Sequence, residues 1–143
     1  MTIFLLANTV FLILSVGYGW LAGDRLDKQA AAWIVAALLG TLAATTLVTG
    51  SRVAPTVLLV DLILLAAIVR IALRSPRYWP TWFAGLHLAG VTCGTAAVLA
   101  GPEYADTLRI FAGFWGVPAL LAMVVGLFLD RRGRPGAQAQ PST

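Results

Sequence analysis

Charged residues are scarce in this sequence. Lys, Arg, Asp and Glu make up 11 % of its 143 residues, whereas a soluble domain carries roughly 25 %. Apolar residues account for 59 %. Because so few charged side chains could not cover a water-facing globule, the composition predicts a protein whose surface is solvated by lipid.

Residues that build catalytic and metal sites are also rare. The chain has one cysteine, Cys93, and one histidine, His87. A single cysteine excludes an internal disulfide and a cluster of cysteine ligands, and a bis-histidine haem would need a second copy of the chain. No G-x-S-x-G, H-E-x-x-H, Walker or G-x-G-x-x-G pattern is present. We therefore predict that the protein is not an enzyme and holds no metal or cofactor of its own.

Five apolar segments are each long enough to cross a bilayer core, which needs about 20 helical residues. Short polar breaks containing Gly, Pro or Asp separate them, as expected at helix ends. The segments cover residues 2–22, 30–49, 54–74, 80–100 and 106–129. The pattern predicts an all-α protein with one domain, 1–129, that is a bundle of five transmembrane helices, followed by a basic, flexible tail over 130–143. The first segment has no positively charged start, so we interpret it as a retained span rather than a signal peptide.

Basic residues are distributed unevenly between the two ends of the predicted bundle. Arg52 and Arg109 lie on one side, and the other eight lie on the side of the C-terminus. These eight are Arg25, Lys28, Arg70, Arg74, Arg77, Arg131, Arg132 and Arg134. The positive-inside rule then places the N-terminus outside and the C-terminus in the cytoplasm of a bacterial inner membrane. Because the basic residues lie at the ends of apolar segments, we predict no nucleic-acid partner.

Asp61 is an acidic residue inside the third apolar segment. An ionisable side chain within a span costs about 2.5–3.5 kcal/mol and marks a functional site by default. Counting along the helices places Asn8, Thr45 and Thr92 in the same half of the membrane. The carboxyl is either the protonatable group of a transporter or a packing residue hydrogen-bonded to Asn8 and threonines. The second interpretation is favoured, because the sequence offers no basic partner at that depth.

His87 lies inside the fourth apolar segment. A lone intramembrane histidine more often makes a hydrogen bond between helices than it ligates a metal or haem. The predicted span ends put it about 10 Å from the level of Asp61. We therefore expect no direct contact between the two residues.

Three arginines at a helical spacing lie at the end of the third segment and just after it. Arg70, Arg74 and Arg77 are related as i, i+4 and i+7, which predicts a basic stripe on one helix face. Such a stripe at the cytoplasmic end is typical of side chains that reach anionic lipid headgroups. A docking contact for an acidic partner is the alternative.

Small residues recur every fourth position in two of the segments. The row Ala32, Ala36, Gly40 and Ala44 in the second segment has a counterpart around Gly90 in the fourth. Small side chains allow helices to approach closely in a membrane, where association has no hydrophobic driving force. The rows predict a compact bundle with the second and fourth helices inside.

The fifth segment contains residues that weaken a helix. These are Gly113, Gly116 and Pro118, and they predict a kink in the fifth helix.

The absence of a catalytic motif and the minimal loops favour a non-catalytic accessory or assembly subunit of a larger membrane complex. Its predicted partners are other membrane subunits or a second copy of the chain. The alternative is a small proton- or ion-coupled transporter or channel centred on Asp61.

Overall fold

The computed structural model describes residues 2–132, apart from the side chains of residues 2–9, 22, 102 and 131. The described residues form α-helices and one short 3-10 helix, with no strand among them. The α-helices are α1 (Thr2–Ala22), α2 (Arg25–Leu47), α3 (Val53–Ala72), α4 (Trp79–Leu99), α5 (Pro102–Phe114) and α6 (Gly116–Arg132). The 3-10 helix, Gly50–Arg52, precedes α3.

Four stretches of the described chain are long and apolar enough to span a membrane. α1 is helical over 21 residues, and its described part contains the shorter apolar stretch Val10–Leu21. The four stretches are Arg25–Leu47, Gly50–Ala72, Trp79–Leu99 and Glu103–Asp130. The protein is therefore all-helical and compatible with a membrane.

Prolines explain where several helices begin. Pro102 is the first residue of α5, Pro80 the second of α4, and Pro55 and Pro118 the third of α3 and α6. The first-turn N–H groups of a helix have no intrahelical partner, so a residue that lacks an N–H is tolerated there. The turn before α3 uses Gly50, whose φ of +69° favours glycine because it has no Cβ.

The predicted fifth helix is interrupted. α5 ends at Phe114 and α6 begins at Gly116, with Trp115 between them. Pro118 has no N–H to donate to the carbonyl four residues earlier, which weakens the helix at the predicted position. α6 continues to Arg132, so residues 130–132 belong to a helix rather than to the predicted tail. The rest of the tail lies outside the described residues.

The helices form a closed ring of neighbours. Each of α1 to α3 packs against the next helix in sequence, α4 packs against α3, α5 and α6, and α6 returns to α1. Between α6 and α1, the hydroxyl of Ser15 donates to the carbonyl of Phe11 at 2.6 Å and lies 3.3 Å from the carbonyl oxygen of Leu120. Among the described residues α2 packs against α1 and α3 but not against α4. The expectation that α2 and α4 are both inner helices was therefore wrong, because α2 is one member of the ring.

The ring is filled differently at its two ends. We call the end at residues 48–52 the α2–α3 end and the end at residues 73–78 the α3–α4 end. A core of buried apolar side chains from α2, α3, α4 and α6 fills the half of the bundle next to the α3–α4 end. Its largest members include Ile34, Ile68, Phe83, Met123 and Leu127. Next to the α2–α3 end, α2, α3, α4 and α5 line a cavity.

Candidate binding cavity and ion cluster

The cavity has a volume of about 680 Å³ and lies between α2, α3, α4, α5 and the first residue of α6. This is within the range of about 300–1,000 Å³ that is typical of sites for small molecules. Most of its wall is formed by glycine, alanine, valine and leucine. The polar and charged residues in the wall are Thr41, Thr45, Ser51, Asp61, His87 and Arg109.

Asp61 lies in the wall of this cavity and is half-buried. No hydrogen bond or ion pair to its carboxyl occurs among the described residues. A carboxylate in an apolar wall is stabilised only when a partner is found. The carboxyl is therefore available to a proton, an ion or a solute that enters the cavity.

His87 meets α3 at the level of Asp61. Its Nε2 atom lies 3.2 Å from the backbone carbonyl oxygen of Asp61. A carbonyl only accepts, so Nε2 carries the hydrogen in this contact and Nδ1 is left as an acceptor when the ring is neutral. On its other side the imidazole lies 6.0 Å, centroid to centroid, from the ring of Phe83 in the core. His87 thus sits at the boundary between the core and the cavity.

The expected separation of Asp61 and His87 was wrong. In the structure Asp61 precedes the end of α3 at Ala72 by eleven residues, and His87 follows the start of α4 at Trp79 by eight. The offset of three residues corresponds to about 4.5 Å, which an imidazole bridges. The estimate of about 10 Å was based on predicted spans that ended at residue 74 and began at residue 80, whereas α3 ends at Ala72 and α4 begins at Trp79.

The other residues of the predicted polar layer are dispersed. Thr45 lies in the cavity wall with Asp61, although its hydroxyl donates to the carbonyls of Thr41 and Leu42 at 3.0 Å. Thr92 is exposed on another face, where its hydroxyl donates to the carbonyl of Leu88 at 2.9 Å. The side chain of Asn8 lies outside the described part of the chain. The threonines therefore satisfy their own helices and not the carboxyl of Asp61.

Arg109 is a wall residue that sequence reasoning did not single out. It lies on α5, and its Nη1 is 2.8 Å from Oδ1 of Asp106. The i, i+3 spacing of this acid and base was visible in the sequence. What the sequence did not contain is the position of α5 beside the cavity.

A cluster of charges lies at the α3–α4 end. Arg77 forms ion pairs with three aspartates: its Nη2 is 2.6 Å from Asp24, its Nη1 contacts Asp27, and its Nε is 3.2 Å from Asp130. The indole N–H of Trp79 also donates to Asp27, at 3.1 Å. The side chain of Asp27 is 2 % exposed and that of Arg77 is 12 % exposed. We call these four charged residues and Trp79 the Arg77 cluster.

The Arg77 cluster connects four parts of the chain. It brings together the start of α2, the α3–α4 connection, the first residue of α4 and the end of α6. Two of its members are close in sequence, at the start of α2, where the backbone N–H of Asp24 donates to the carboxylate of Asp27 at 2.8 Å. An acid at the third position of a helix commonly returns to the N-cap in this way. That part was readable from the sequence, whereas the partners of Arg77 were not.

The predicted arginine stripe does not form. α3 ends at Ala72, and Arg77 lies beyond it with its side chain turned into the cluster. Arg70 and Arg74 are exposed. Helical spacing predicted a shared face only as long as the helix continued, and the serine and proline that follow Arg74 end it. A contact with lipid headgroups or an acidic partner therefore remains a prediction for Arg70 and Arg74.

Comparisons with known proteins find no match for this chain, whether to a protein-family model, a curated protein or a solved structure. A proposal for its function therefore starts from its own cavity and its own charged residues.

Proposed function

We propose that the protein is a small proton- or ion-coupled transporter in which Asp61 is the exchanging group. The observation that carries the proposal is the 680 Å³ cavity with Asp61 and His87 in its wall. The apolar core next to the α3–α4 end supports a transporter in one of its states rather than an open channel, because the cavity leads onto closely packed side chains.

The packing interpretation of Asp61 has hydrogen bonds from Asn8 and from threonines. The side chain of Asn8 lies outside the described residues, and Thr45 and Thr92 bond to carbonyls of their own helices. A carboxylate kept in an apolar wall without such partners is costly unless it has a task. This is why we place the transporter ahead of the subunit interpretation.

The accessory or assembly subunit is our second proposal. Large apolar side chains are exposed along α5 and α6, among them Ile110, Phe111, Phe114 and Val125. A helix of another membrane subunit, a second copy of the chain or the acyl chains of lipid would each cover such a surface. The mass of the particle extracted in mild detergent separates a subunit of a larger complex from a small free protein.

We further propose five spans in a bacterial inner membrane, with the α2–α3 end outside and the α3–α4 end in the cytoplasm. The excess of lysine and arginine near the α3–α4 end supports this orientation. We expect a fluorescent protein fused after residue 132 or within 73–78 to fluoresce, and a phosphatase fused within 48–52 to be active. The opposite pattern would contradict the orientation, and equal activities at both ends would contradict a single topology.

Asp61→Asn is expected to abolish coupled proton movement without unfolding the protein. Asparagine has nearly the same shape, and the carboxyl makes no hydrogen bond in the described part of the bundle that the change would break. The measurement uses liposomes that hold a pH-sensitive dye and a protein-free extract of small cell solutes. An outward solute gradient should drive protons inward through the wild type, whereas Asp61→Asn should match liposomes without protein.

Glu103→Gln is the matched control for this substitution. Glu103 is an exposed acid in the first turn of α5 that does not line the cavity, and a substitution at such a surface position usually changes the stability by less than about 0.5 kcal/mol. Proton movement at the wild-type rate in Asp61→Asn, or none in the wild type, would refute the transporter proposal.

A further inference from the structure

The cavity wall has the composition of a site for a ligand with an apolar body. Between its few polar residues the wall is built from side chains such as Val57, Leu58, Val91 and Val98, and from glycines that leave room beside them. Sites of this size that are mostly apolar, with a few polar groups, typically hold molecules larger than a single hydrated ion. Bare inorganic ions would leave much of this wall without contact.

The charge of the wall indicates which sign of ligand fits. Asp61 is the acid among the wall residues. No described residue forms an ion pair or a hydrogen bond with its carboxylate, and a protonated His87 would attract it. From α4, His87 directs Nε2–H to a backbone carbonyl and not to the carboxylate. From α2, Thr41 and Thr45 contribute no charge, and from α5 the charge of Arg109 is offset by Asp106 at 2.8 Å. A carboxylate in an apolar wall is best neutralised by a proton or by a positively charged ligand.

We propose that the cavity binds a monovalent organic cation with an apolar body, whose charged centre lies against Asp61. This inference rests on the proposed transporter function and specifies its substrate class. One carboxylate pairs with either one proton or one such cation, so each cation released is replaced by one proton. No hydrogen-bond donor on the ligand is needed, because an ionic contact with the carboxylate and apolar contacts with the wall are sufficient.

The test measures binding of tetraphenylphosphonium to the purified full chain in lipid nanodiscs. Tetraphenylborate, which has the same shape and the opposite charge, is the matched probe. We expect the wild type to bind the phosphonium and to release it on acidification, when a proton takes the carboxylate. Asp61→Asn should weaken binding by about tenfold or more, because losing a buried charge partner costs more than one factor of ten in affinity. Glu103→Gln, which changes an exposed acid that does not line the cavity, should bind as the wild type does.

A second variant tests the cavity without touching the acid. Val57→Phe places a larger side chain in the wall and should weaken phosphonium binding while leaving the particle monodisperse and thermally stable. Equal binding by the wild type, Asp61→Asn and Val57→Phe would overturn the inference. Preference for tetraphenylborate would also overturn it.

The binding measurement tests the organic-cation inference, and the flux measurement tests the transporter proposal, so the two can be refuted independently. If phosphonium does not bind but proton movement still depends on Asp61, the organic-cation inference is wrong and the transporter proposal stands. If neither is observed, both are wrong.

Discussion

Arg77→Leu is expected to lower the stability of the folded bundle more than any other single substitution of a basic residue in the described chain. Arg77 is the cation that the three aspartates of its cluster share, and Asp27 among them is 2 % exposed. Removing one partner of a buried pair leaves an uncompensated charge, which typically costs about 3–5 kcal/mol. We expect a large fall in the melting temperature of the detergent-solubilised protein. The melting temperature is measured by size-exclusion chromatography of samples heated to increasing temperatures.

Arg74→Leu provides a close control. Arg74 is the same residue type, three positions earlier in the same connection, and its side chain is exposed. It also belongs to the same basic group in the sequence, so both changes alter the charge asymmetry equally. Equal melting temperatures for Arg74→Leu and Arg77→Leu would show that the cluster does not stabilise the bundle.

Combining Arg77→Leu with Asp27→Asn should recover part of the lost stability. The amide removes the most buried unpaired charge and keeps an oxygen that can accept from the indole N–H of Trp79, which lies 3.1 Å from the carboxylate. Asp24 and Asp130 are more exposed, at 56 % and 35 %, although the Asp130 oxygen that faces Arg77 is buried. The stability should therefore be recovered only in part. A double variant less stable than Arg77→Leu alone would mean that Asp27 acts mainly through the start of α2.

Gly126→Ala is expected to be the most damaging substitution of a small residue in α6. A Cβ at Gly126 would overlap the Cβ of Trp79 and lie 3.0 Å from its Cγ. Trp79 is 2 % exposed and cannot move aside easily. Overpacking of a tight interior costs about 1–3 kcal/mol, and displacement of Trp79 would also disturb its hydrogen bond to Asp27. The same heating assay should show a clearly lower melting temperature.

Gly85→Ala is the control for this change. Gly85 is in a helix, α4, and a Cβ there meets nothing within 4 Å among the described atoms. Alanine favours a helix over glycine by about 1 kcal/mol, so Gly85→Ala should keep or slightly raise the melting temperature. If Gly126→Ala also keeps or raises the melting temperature, the close contact between Gly126 of α6 and Trp79 of α4 is contradicted.

The contrast between the two ends of the bundle gives the transporter proposal a physical basis. At the α3–α4 end, the ion pairs around the buried Asp27 and the close contact of Gly126 with Trp79 hold four parts of the chain together. At the α2–α3 end, small side chains leave space between α2, α3, α4 and α5. A ligand in the cavity would therefore meet closely packed side chains towards one end of the bundle and unfilled space towards the other.

Several features follow from the sequence alone because they depend on local chemistry. Long apolar runs predict helices that can cross a membrane, and the polar breaks between them are close to the observed helix ends. The prolines mark helix starts through the missing N–H, and Pro118 marks the interruption after Phe114. The special position of Asp61 was also evident, since one acid in an apolar run needs no structure to be noticed.

Only the tertiary structure decided which side chains meet. The partners of Arg77 come from positions 24, 27 and 130, and no local rule relates them. His87 contacts Asp61 and Thr92 does not, and this difference depends on the rotation and axial shift of each helix against its neighbours. A shift of a few residues changes the level of a side chain by several ångströms at 1.5 Å per residue, and uncertainty in where helices end is of that size. The cavity has the same origin, because it is the space left where the ring of helices is filled by small side chains.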